Sequence, residues 1–581
     1  MALLNVEAIP HPYPRRFVPP EAHLGDWETV EKIFGDLLGR SLSSPRDLEK
    51  WLGDLGEFQD CLGQEGSLRY VRMTCKTDDP QIEKSYLDFL EKVSEPSKPK
   101  FFALSKKYWD CPYRPSLPAE DYFLYNRSIE NDLALYREEN IPLETELEKL
   151  SQEYQKLSGS LMVNYEGKEQ TLQQMGRYME STDRVQREEA WKLVAERRLK
   201  EKDHLDELFD KMLKLRVRAA GNAGFSNYRD YIFRRKERFD YGPRDCEAFH
   251  ESAEKAIRPL VLNIQQKRKK KMGLSTLRPW DLSVDPSGLP PLKPFENNEK
   301  LIDGCEKILS KIDSGFGGNF RQMRELGLLD LESRKGKAPG GYQADLEEAR
   351  IPFIFANAVG LDHDVRTLLH ESGHAMHSFA WRNIPFSPYR HAPMEFCEVA
   401  SMSMELMADP FLNEFYPDPR EAARSTLRHL EDVIILLPWI ANVDAFQHWI
   451  YTHPQHTRGE RADQWLNLRR RLGGMEDWSG FEEVQAALWH RQLHIFEYPF
   501  YYIEYGIAQL GALQVWKNFR KDKAEAVRLY KQGLSVGGSK TLPEIFKSAG
   551  IRFDFSLEMI EPLMEEVAKE LERLEAYLDP I

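Results

Sequence analysis

Two histidines four residues apart, His370 and His374, constrain the fold more than any other feature of this chain. Side chains at this spacing lie on one face of an α-helix, so both imidazoles can reach one metal ion. Apolar residues flank the pair at Val365, Leu368, Leu369, Ala375, Met376, Phe379 and Ala380. An exposed amphipathic helix is the alternative, but apolar residues around most of the circumference favour a buried helix whose polar groups need partners.

Glu371 indicates what chemistry this helix can support. The sequence His370-Glu-Ser-Gly-His374 has the HExxH pattern, in which the glutamate activates water for zinc-dependent hydrolysis, most often of peptide bonds. We therefore expect one zinc ion (Zn²⁺) per chain. His377 lies on the same face, but about 10 Å along the helix axis from His370. We expect it to be a hydrogen-bonded neighbour of the site rather than a third ligand.

A third ligand is expected downstream, because a catalytic zinc usually takes three protein ligands and leaves one position for water. The segment Met394–Leu406 offers Glu395, Glu398 and Glu405. Glu398 opens a predicted apolar helix on which Ser401 and Glu405 share its face, as supporting groups around a ligand would. The arrangement favours Glu398, while Glu395 and Glu405 remain candidates.

A second polar cluster is predicted between His494 and Tyr505, where four tyrosines and the histidine fall within twelve residues. Hydrolysis of an amide needs a donor for the oxyanion of the tetrahedral intermediate. An aromatic core stripe entering a helix is the alternative. The polar tips of buried tyrosines need partners, and this favours a functional role.

Composition narrows the class of protein. A chain of 581 residues with 41% hydrophobic and 30% charged residues is typical of a soluble globular protein. The net charge of −14 disfavours nucleic acid and anionic membranes as partners. The six cysteines are scattered, the segment Met1–Pro12 lacks the features of a secretory signal, and no long apolar run predicts a membrane span. We expect a cytoplasmic protein and make no prediction of its oligomeric state.

Apolar residues at three- and four-residue spacing predict helices over 80–95, 120–160, 168–220, 244–272, 400–436, 462–490 and 556–578. The proline-rich segment 273–300 and the segment 333–341 are predicted loops. Ile351–Gly360, between the second loop and the metal motif, is a predicted strand. We divide the chain near residue 190, into an N-terminal helical region (1–190) and a region that contains the chemistry (191–581).

Five stretches together resemble one known family, namely Leu329–Tyr342, Asn357–Gly360, Thr367–His377, His391–Ser401 and Pro499–Gln514. With these stretches the chain resembles the oligoendopeptidase F branch of the thimet-oligopeptidase-like zinc peptidases. The resemblance extends over about 200–575 and is strongest over about 320–515. It implies that His370, His374 and Glu398 bind zinc and that Glu371 is the general base and proton shuttle.

The resemblance also implies roles in substrate and transition-state binding. Tyr505 is the implied oxyanion donor, and His494 stabilises the same intermediate or fixes the substrate. Tyr502 and Tyr498 match tyrosines that contact substrate, and His391 is a further candidate contact. Ala356, Asn357 and Ala358 lie on the predicted strand. In zinc peptidases of this kind an extended peptide pairs with such an edge strand, although ordinary sheet pairing is the alternative.

The implied fold is a mainly α, two-lobed zinc peptidase with a deep central channel and a small β-sheet next to the active-site helix. A narrow channel admits extended peptides, so the expected activity is zinc-dependent endopeptidase cleavage of short, unstructured oligopeptides. One alternative is a peptidyl-dipeptidase or carboxypeptidase, whose cationic clamp could come from Arg334, Lys335 or Lys337. The other is a peptide-binding scaffold without catalysis.

Overall fold

A computed structural model describes residues 9–10 and 12–579 of the protein. Most of Met1–Pro12, on which the prediction about a secretory signal depends, lies outside these residues. The chain forms two compact units, each assembled from three separate stretches. Unit 1 contains the chain up to Ala134, Lys293–Ala422 and Gly511–Phe553, and unit 2 contains Leu135–Leu292, Ala423–Leu510 and the chain from Asp554.

The first stretch of unit 1 is helical. Its helices are α1 (Trp27–Gly39), α2 (Pro45–Cys75), α3 (Pro80–Phe89), α4 (Glu95–Trp109) and α5 (Ala119–Leu135). Ser44 begins α2 because its side chain accepts the Asp47 N–H, and Pro45 fits the first helical position. The helices enclose a core that contains Phe34, Trp51 and Phe58.

The second stretch, in unit 2, contains mainly helices and one hairpin. Its elements are α6 (Ile141–Gly159), β1 (Met162–Tyr165), β2 (Lys168–Thr171), α7 (Gly176–Met179), α8 (Arg184–Leu199), α9 (Lys202–Asn222), α10 (Tyr228–Arg235), α11 (Pro243–Ser252) and α12 (Arg258–Lys271). A π-helical turn, Ala253–Ile257, joins α11 to α12, so the predicted helix 244–272 is confirmed. The hairpin falls partly within the predicted helix 168–220, which is wrong at its beginning.

The third stretch returns to unit 1 and contains the metal motif. Its elements are α13 (Asn298–Ile312), α14 (Ser314–Glu325), β3 (Leu329–Glu332), β4 (Tyr342–Leu346), β5 (Ile351–Ala358), α15 (Asp362–Trp381) and α16 (Met394–Met407). The three strands form one sheet in the order β3-β5-β4. The strand predicted at 351–360 is therefore confirmed as β5, and it leads directly towards α15.

The remaining chain completes both units. Its helices are α17 (Pro419–Thr452), α18 (Arg458–Leu472), α19 (Glu482–Ala486), α20 (Leu493–Phe496), α21 (Tyr502–Lys521), α22 (Lys523–Ser535), α23 (Leu542–Ser548) and α24 (Leu557–Leu578). By length and composition α17 could cross a membrane, but 72% of its most apolar window is buried within the protein, as in the core helix of a globular protein.

The predicted boundary near residue 190 falls inside helix α8, whose bounds are Arg184–Leu199. The two compact units also alternate along the chain, whereas the prediction has one region follow the other. The alternation has no local sign in the sequence, because helices with similar composition build both units.

Candidate active site

Asp364 fixes the turn from strand β5 into helix α15. Its Oδ2 accepts hydrogen bonds from the backbone N–H groups of Val359, Gly360 and Leu361, each at 2.8 Å. Gly360 has a φ of +94°, which favours glycine. Sequence reasoning missed Asp364, although an acidic residue three positions after a helix cap is a recognised signal. The turn sets where the metal motif begins relative to the sheet.

Gly373 permits close contact between α15 and α16. A Cβ at this position would lie 2.5 Å from Ser401 Cα and 2.6 Å from the Ala400 carbonyl oxygen. On its other side α16 is held by Tyr530 of α22, whose buried hydroxyl donates to the same carbonyl at 2.7 Å. The close approach brings the carboxylate of Glu398 to the imidazoles of α15.

His370, His374 and Glu398 converge on one point. Their ligand atoms all lie within 4.8 Å of one another. Glu398 Oε2 is 3.4 Å from His370 Nε2 and 3.7 Å from His374 Nε2. Two imidazole nitrogens and a carboxylate oxygen are a donor set that suits zinc. The residues fit the metal that the sequence predicts, since one divalent cation could accept a lone pair from each of these facing nitrogen and oxygen atoms.

Neighbouring groups orient these side chains. Glu405 Oε1 lies 2.7 Å from His370 Nδ1, so that the other ring nitrogen, Nε2, faces the cluster. Ser401 Oγ donates to Glu398 Oε2 at 3.0 Å. Such contacts fix the tautomer of a ligand histidine and the direction of a ligand carboxylate. Ser401 therefore contacts Glu398, beside which it is predicted, whereas Glu405 contacts His370 and not Glu398.

The three glutamates of α16 differ in position. Glu398 joins the two histidines, and Glu405 contacts the far side of His370. Glu395 is buried on the same helix but is not part of this cluster.

His377 is buried against Phe396, with ring centroids 5.8 Å apart, and its Nε2 has no hydrogen-bond partner in the described chain. The hydrogen bond expected for His377 is therefore not made by that nitrogen.

The ionisation of the cluster reflects burial and its carboxylates. Burial lowers the pKa of His374 to about 4, so its imidazole is neutral, the form that binds a metal. Burial also opposes the charged form of His370, but hydrogen bonds to Glu398 and Glu405 raise its pKa well above the usual value. Burial raises the pKa of Glu398 less than the histidines lower it, and its pKa falls below the ordinary value.

Glu371 lies in the wall of an open cleft. The cleft has a volume of about 240 Å³ and is lined by Gly340, Gly341, Ala356, Asn357, Ala358, His363, Thr367 and Glu371, among others. The Glu371 side chain is buried, and burial raises its pKa to about 7, with further contributions from nearby carboxylates. A carboxylate in this setting can both accept and release a proton near neutral pH.

Strand β5 is the central strand of its sheet, so the expectation of an edge strand is wrong. It pairs in parallel with β3 and antiparallel with β4. The Ala356 carbonyl accepts Lys337 Nζ at 2.6 Å, and Asn357 Nδ2 donates to the Ala338 and Gly340 carbonyls at 2.8 and 2.9 Å. Ala356, Asn357 and Ala358 line the cleft, but two of them also hold the loop before β4.

His391 lies in an ion-paired cluster near the other end of β4. Its Nε2 is 2.8 Å from Glu347 Oε1, and its Nδ1 is 4.0 Å from Asp345 Oδ2. Burial opposes protonation, but the hydrogen bond to Glu347 and the charge of Asp345 raise the pKa of His391 to about 9. Ser378 of α15 donates to Asp345 at 2.5 Å, which connects this cluster to the metal helix.

The late aromatic segment forms a cluster within unit 2. The rings of Tyr498, Tyr501, Tyr502 and Tyr505 have centroids between 4.9 and 6.5 Å from the ring of His494. Gln492 Nε2 lies 2.7 Å from His494 Nδ1. Burial lowers the pKa of His494 to about 4, so the imidazole is neutral. The segment therefore brings the histidine and the four tyrosines of the predicted polar cluster close together.

Comparison with known proteins agrees with this architecture. The oligoendopeptidase F homologue of Borreliella burgdorferi is 27% identical over 293 residues, which are 48% of this chain and 48% of that protein. The oligopeptidase PepF of Bacillus subtilis is 24% identical over 284 residues, 48% of this chain and 42% of that protein. The chain thus aligns with about half the length of the curated relatives it matches.

A solved structure extends the similarity to nearly the whole chain. The structure of PZ peptidase A with inhibitor 2 has a TM-score of 0.87 and 28% identity, and the match covers 96% of this chain and 99% of that one. The mainly α fold with a small sheet and the resemblance to oligoendopeptidase F are confirmed. The sequence model of peptidase family M3 matches residues 177–565. Because this match covers more than half of the chain, the protein belongs to peptidase family M3.

Proposed function

We propose that this protein is a zinc-dependent endopeptidase that hydrolyses short, unstructured oligopeptides. The observation that carries the proposal is the cluster of His370, His374 and Glu398, with Glu371 beside it in the wall of an open cleft. The donors suit zinc, and the neighbouring carboxylate is buried yet borders the cleft. Membership of family M3 agrees with this chemistry.

When bound, zinc supplies Lewis acidity that polarises water and the scissile carbonyl. His370 and His374, whose Nε2 atoms face Glu398 Oε2, would hold it, and Glu398 would complete the set of protein ligands. The Glu371 carboxylate accepts a proton from the attacking water and then donates it to the leaving amine. Its pKa of about 7 suits transfer in both directions at neutral pH.

Tyr505 and His494 are proposed to act on the substrate carbonyl. The tyrosine hydroxyl donates a hydrogen bond to the developing oxyanion, and the imidazole stabilises the same charge or fixes the peptide. Support comes from the family resemblance and from the aromatic cluster that brings the two rings to 5.8 Å. Tyr505→Phe is expected to lower kcat by roughly 10²–10³ without altering zinc content. An unchanged kcat would remove Tyr505 from the mechanism.

Peptide binding is proposed to use the cleft beside Glu371. Ala356, Asn357 and Ala358 line it, and β4 is an outer strand of the sheet, where an extended peptide can add main-chain hydrogen bonds. Recognition through the main chain tolerates many side chains. We also propose that the peptide contacts Tyr498 and Tyr502, which the resemblance assigns to substrate binding. His391 is a further proposed contact.

The cationic clamp of a carboxypeptidase has less support. Arg334 Nη1 and Lys337 Nζ both contact Asp330 Oδ1, at 2.6 and 3.0 Å, and the Lys337 side chain is fully buried. Two of the three candidate clamp residues therefore already have a carboxylate partner. This favours internal cleavage over recognition of a free substrate terminus.

All six cysteines are free thiols, in agreement with the cytoplasmic location that we propose.

Digestion of a mixed library of end-blocked peptides tests the proposal, with products identified by mass spectrometry. We expect internal cleavage, its loss on chelation and its return with added zinc. A folded protein that contains the same peptide sequences should survive. Cleavage only after an end block is removed would favour the exopeptidase, and stoichiometric peptide binding without cleavage would favour the non-catalytic scaffold.

A further inference from the structure

A second group of metal-binding side chains lies in unit 2. Helix α11 carries Cys246 and His250, and helix α17 carries Asp444 and His448, each pair four residues apart and so on one face of its helix. Ligand atoms of Cys246, Asp444 and His448 all lie within 4.8 Å of one another. None of the four side chains belongs to the proposed catalytic machinery.

This cluster is isolated from solvent. Cys246 and Asp444 are 1% and 0% exposed, and His250 and His448 are 7% and 6% exposed. Aromatic rings of Phe233 and Phe500 pack on His448, with centroids 5.8 and 5.2 Å away. Charged and polar groups inside such an apolar shell need partners, because burial removes them from water.

Hydrogen bonds within the cluster satisfy only part of it. His250 Nε2 lies 2.8 Å from Asp444 Oδ2, and His448 Nε2 lies 3.2 Å from the same oxygen. In the described chain, Asp444 Oδ1 and both ring nitrogens of His448 have no hydrogen-bond partner, so the only hydrogen bond here is between His250 and Asp444. A simple ion pair between Asp444 and a histidine would leave these buried atoms without partners. It would also not explain why the Cys246 thiol lies beside them.

The neighbouring guanidinium does not complete the cluster. Arg238, whose charge acts on Cys246, is paired with Glu504 at 2.8 Å. A bound divalent cation would stabilise the thiolate, and the thiol proton would leave to solvent.

We propose that Cys246, Asp444 and His448 bind a second, structural zinc ion that joins helix α11 to helix α17. Sulfur, nitrogen and carboxylate oxygen together suit zinc better than the oxygen-seeking cations calcium and magnesium. His250 is a positioning residue, because it holds Asp444 Oδ2 by a hydrogen bond. The protein would then bind two zinc ions per chain, where the sequence predicts one.

Zinc content measured by elemental mass spectrometry gives the first test. After zinc loading and extensive dialysis, the wild-type chain is expected to hold two zinc ions. His374→Ala should hold one, and Cys246→Ser should also hold one while keeping peptidase activity. Cys305→Ser, at a fully buried thiol of unit 1, is the matched control and should hold two. His250→Ala should bind the second zinc more weakly than the wild type.

Cobalt substitution of the wild-type chain distinguishes the two sites by their donor atoms, so the decisive measurement does not depend on the folding of a variant. The catalytic donors are nitrogen and oxygen, so only the site in unit 2 can give a thiolate-to-cobalt charge-transfer band in the near ultraviolet. We expect this band in the wild type and in His374→Ala, and its loss in Cys246→Ser. Absence of the band from cobalt-loaded wild type would overturn the proposal, whatever the catalytic site binds. A zinc content of one in the wild type together with the band would contradict only the proposed catalytic zinc.

Discussion

Glu371 combines two properties that rarely coincide in one carboxylate. Its side chain is buried, yet it borders the cleft that Ala356, Asn357 and Ala358 also line. Burial of an ionisable carboxylate is unfavourable, and a carboxylate buried at the edge of a cleft is a candidate for proton transfer, the role that we propose for Glu371.

Replacing Glu371 by glutamine tests that role. Glu371→Gln is expected to lower kcat/KM by roughly 10²–10⁴, because the amide cannot accept the proton. Zinc content should stay at the wild-type value, since the metal ligands are untouched. Peptide hydrolysis and elemental analysis measure the two quantities. Glu325→Gln, at an exposed glutamate of α14, is the matched control, and equal activity in both variants would exclude Glu371 as the base.

Glu405 is expected to act on the metal through His370. Removal of its carboxylate in Glu405→Ala takes away the partner of His370 Nδ1 at 2.7 Å. The dissociation constant for zinc should rise by roughly 10–100-fold, while kcat at saturating zinc changes much less. Competition with a chelator measures the constant. Glu405→Gln keeps an oxygen acceptor, so its dissociation constant for zinc should lie between those of the wild type and Glu405→Ala. A wild-type zinc affinity in Glu405→Ala would contradict the assignment.

The residues that could be predicted from sequence are those whose contacts follow from helical periodicity. His370 and His374 share a face by spacing alone, and Ser401 and Glu405 follow Glu398 by the same rule. Asp364 was missed because its role depends on a turn. For His377, periodicity specifies a face of the helix but not the partners across it, and Nε2 makes no hydrogen bond in the described chain.

At the scale of elements, the close pair α15 and α16 depends on Gly373. The hairpin β1–β2 and the central position of β5 could not be predicted in the same way. The hairpin turn uses Glu166 and Gly167, both with positive φ, and Glu166 is an unusual residue for that conformation. The central position of β5 depends on its pairing with β3 and β4. The alternation of residues within β5 alone does not specify these partners.

A methyl group at Gly373 should separate the two helices. Gly373→Ala is expected to destabilise the protein by about 1–3 kcal/mol, because its Cβ would meet backbone atoms of α16. Zinc affinity should fall as well, since Glu398 moves with α16. Thermal unfolding and chelator competition measure both effects.

The control is Gly318→Ala on α14. No atom lies within 4 Å of a Cβ built at Gly318, so this change should leave stability equal or higher by up to about 1 kcal/mol. A wild-type melting temperature and zinc affinity in Gly373→Ala would show that α15 and α16 can separate without cost.

For the whole molecule, the thiols report on both compact units at once. Cys61, Cys75, Cys111, Cys246 and Cys305 are buried, and only Cys397 is partly exposed. Alkylation of the native protein should modify Cys397 first, and alkylation after denaturation should modify all six cysteines. A reducing agent should not shift the melting temperature. Intact-mass measurement follows the labelling, and rapid native labelling of Cys61 or Cys305 would contradict the packing.

The alternation of the two units determines the order in which the metal cluster can form. His370, His374 and Glu398 leave the ribosome long before Tyr530, whose hydroxyl holds the Ala400 carbonyl of α16. The last stretch of unit 1 ends at Phe553, after most of unit 2 has been synthesised. A nascent chain therefore cannot complete unit 1 before it begins unit 2. The cluster of His370, His374 and Glu398 is therefore expected to form only in the nearly complete polypeptide. A premature stop anywhere before Phe553 should yield a chain that neither retains the metal nor escapes degradation.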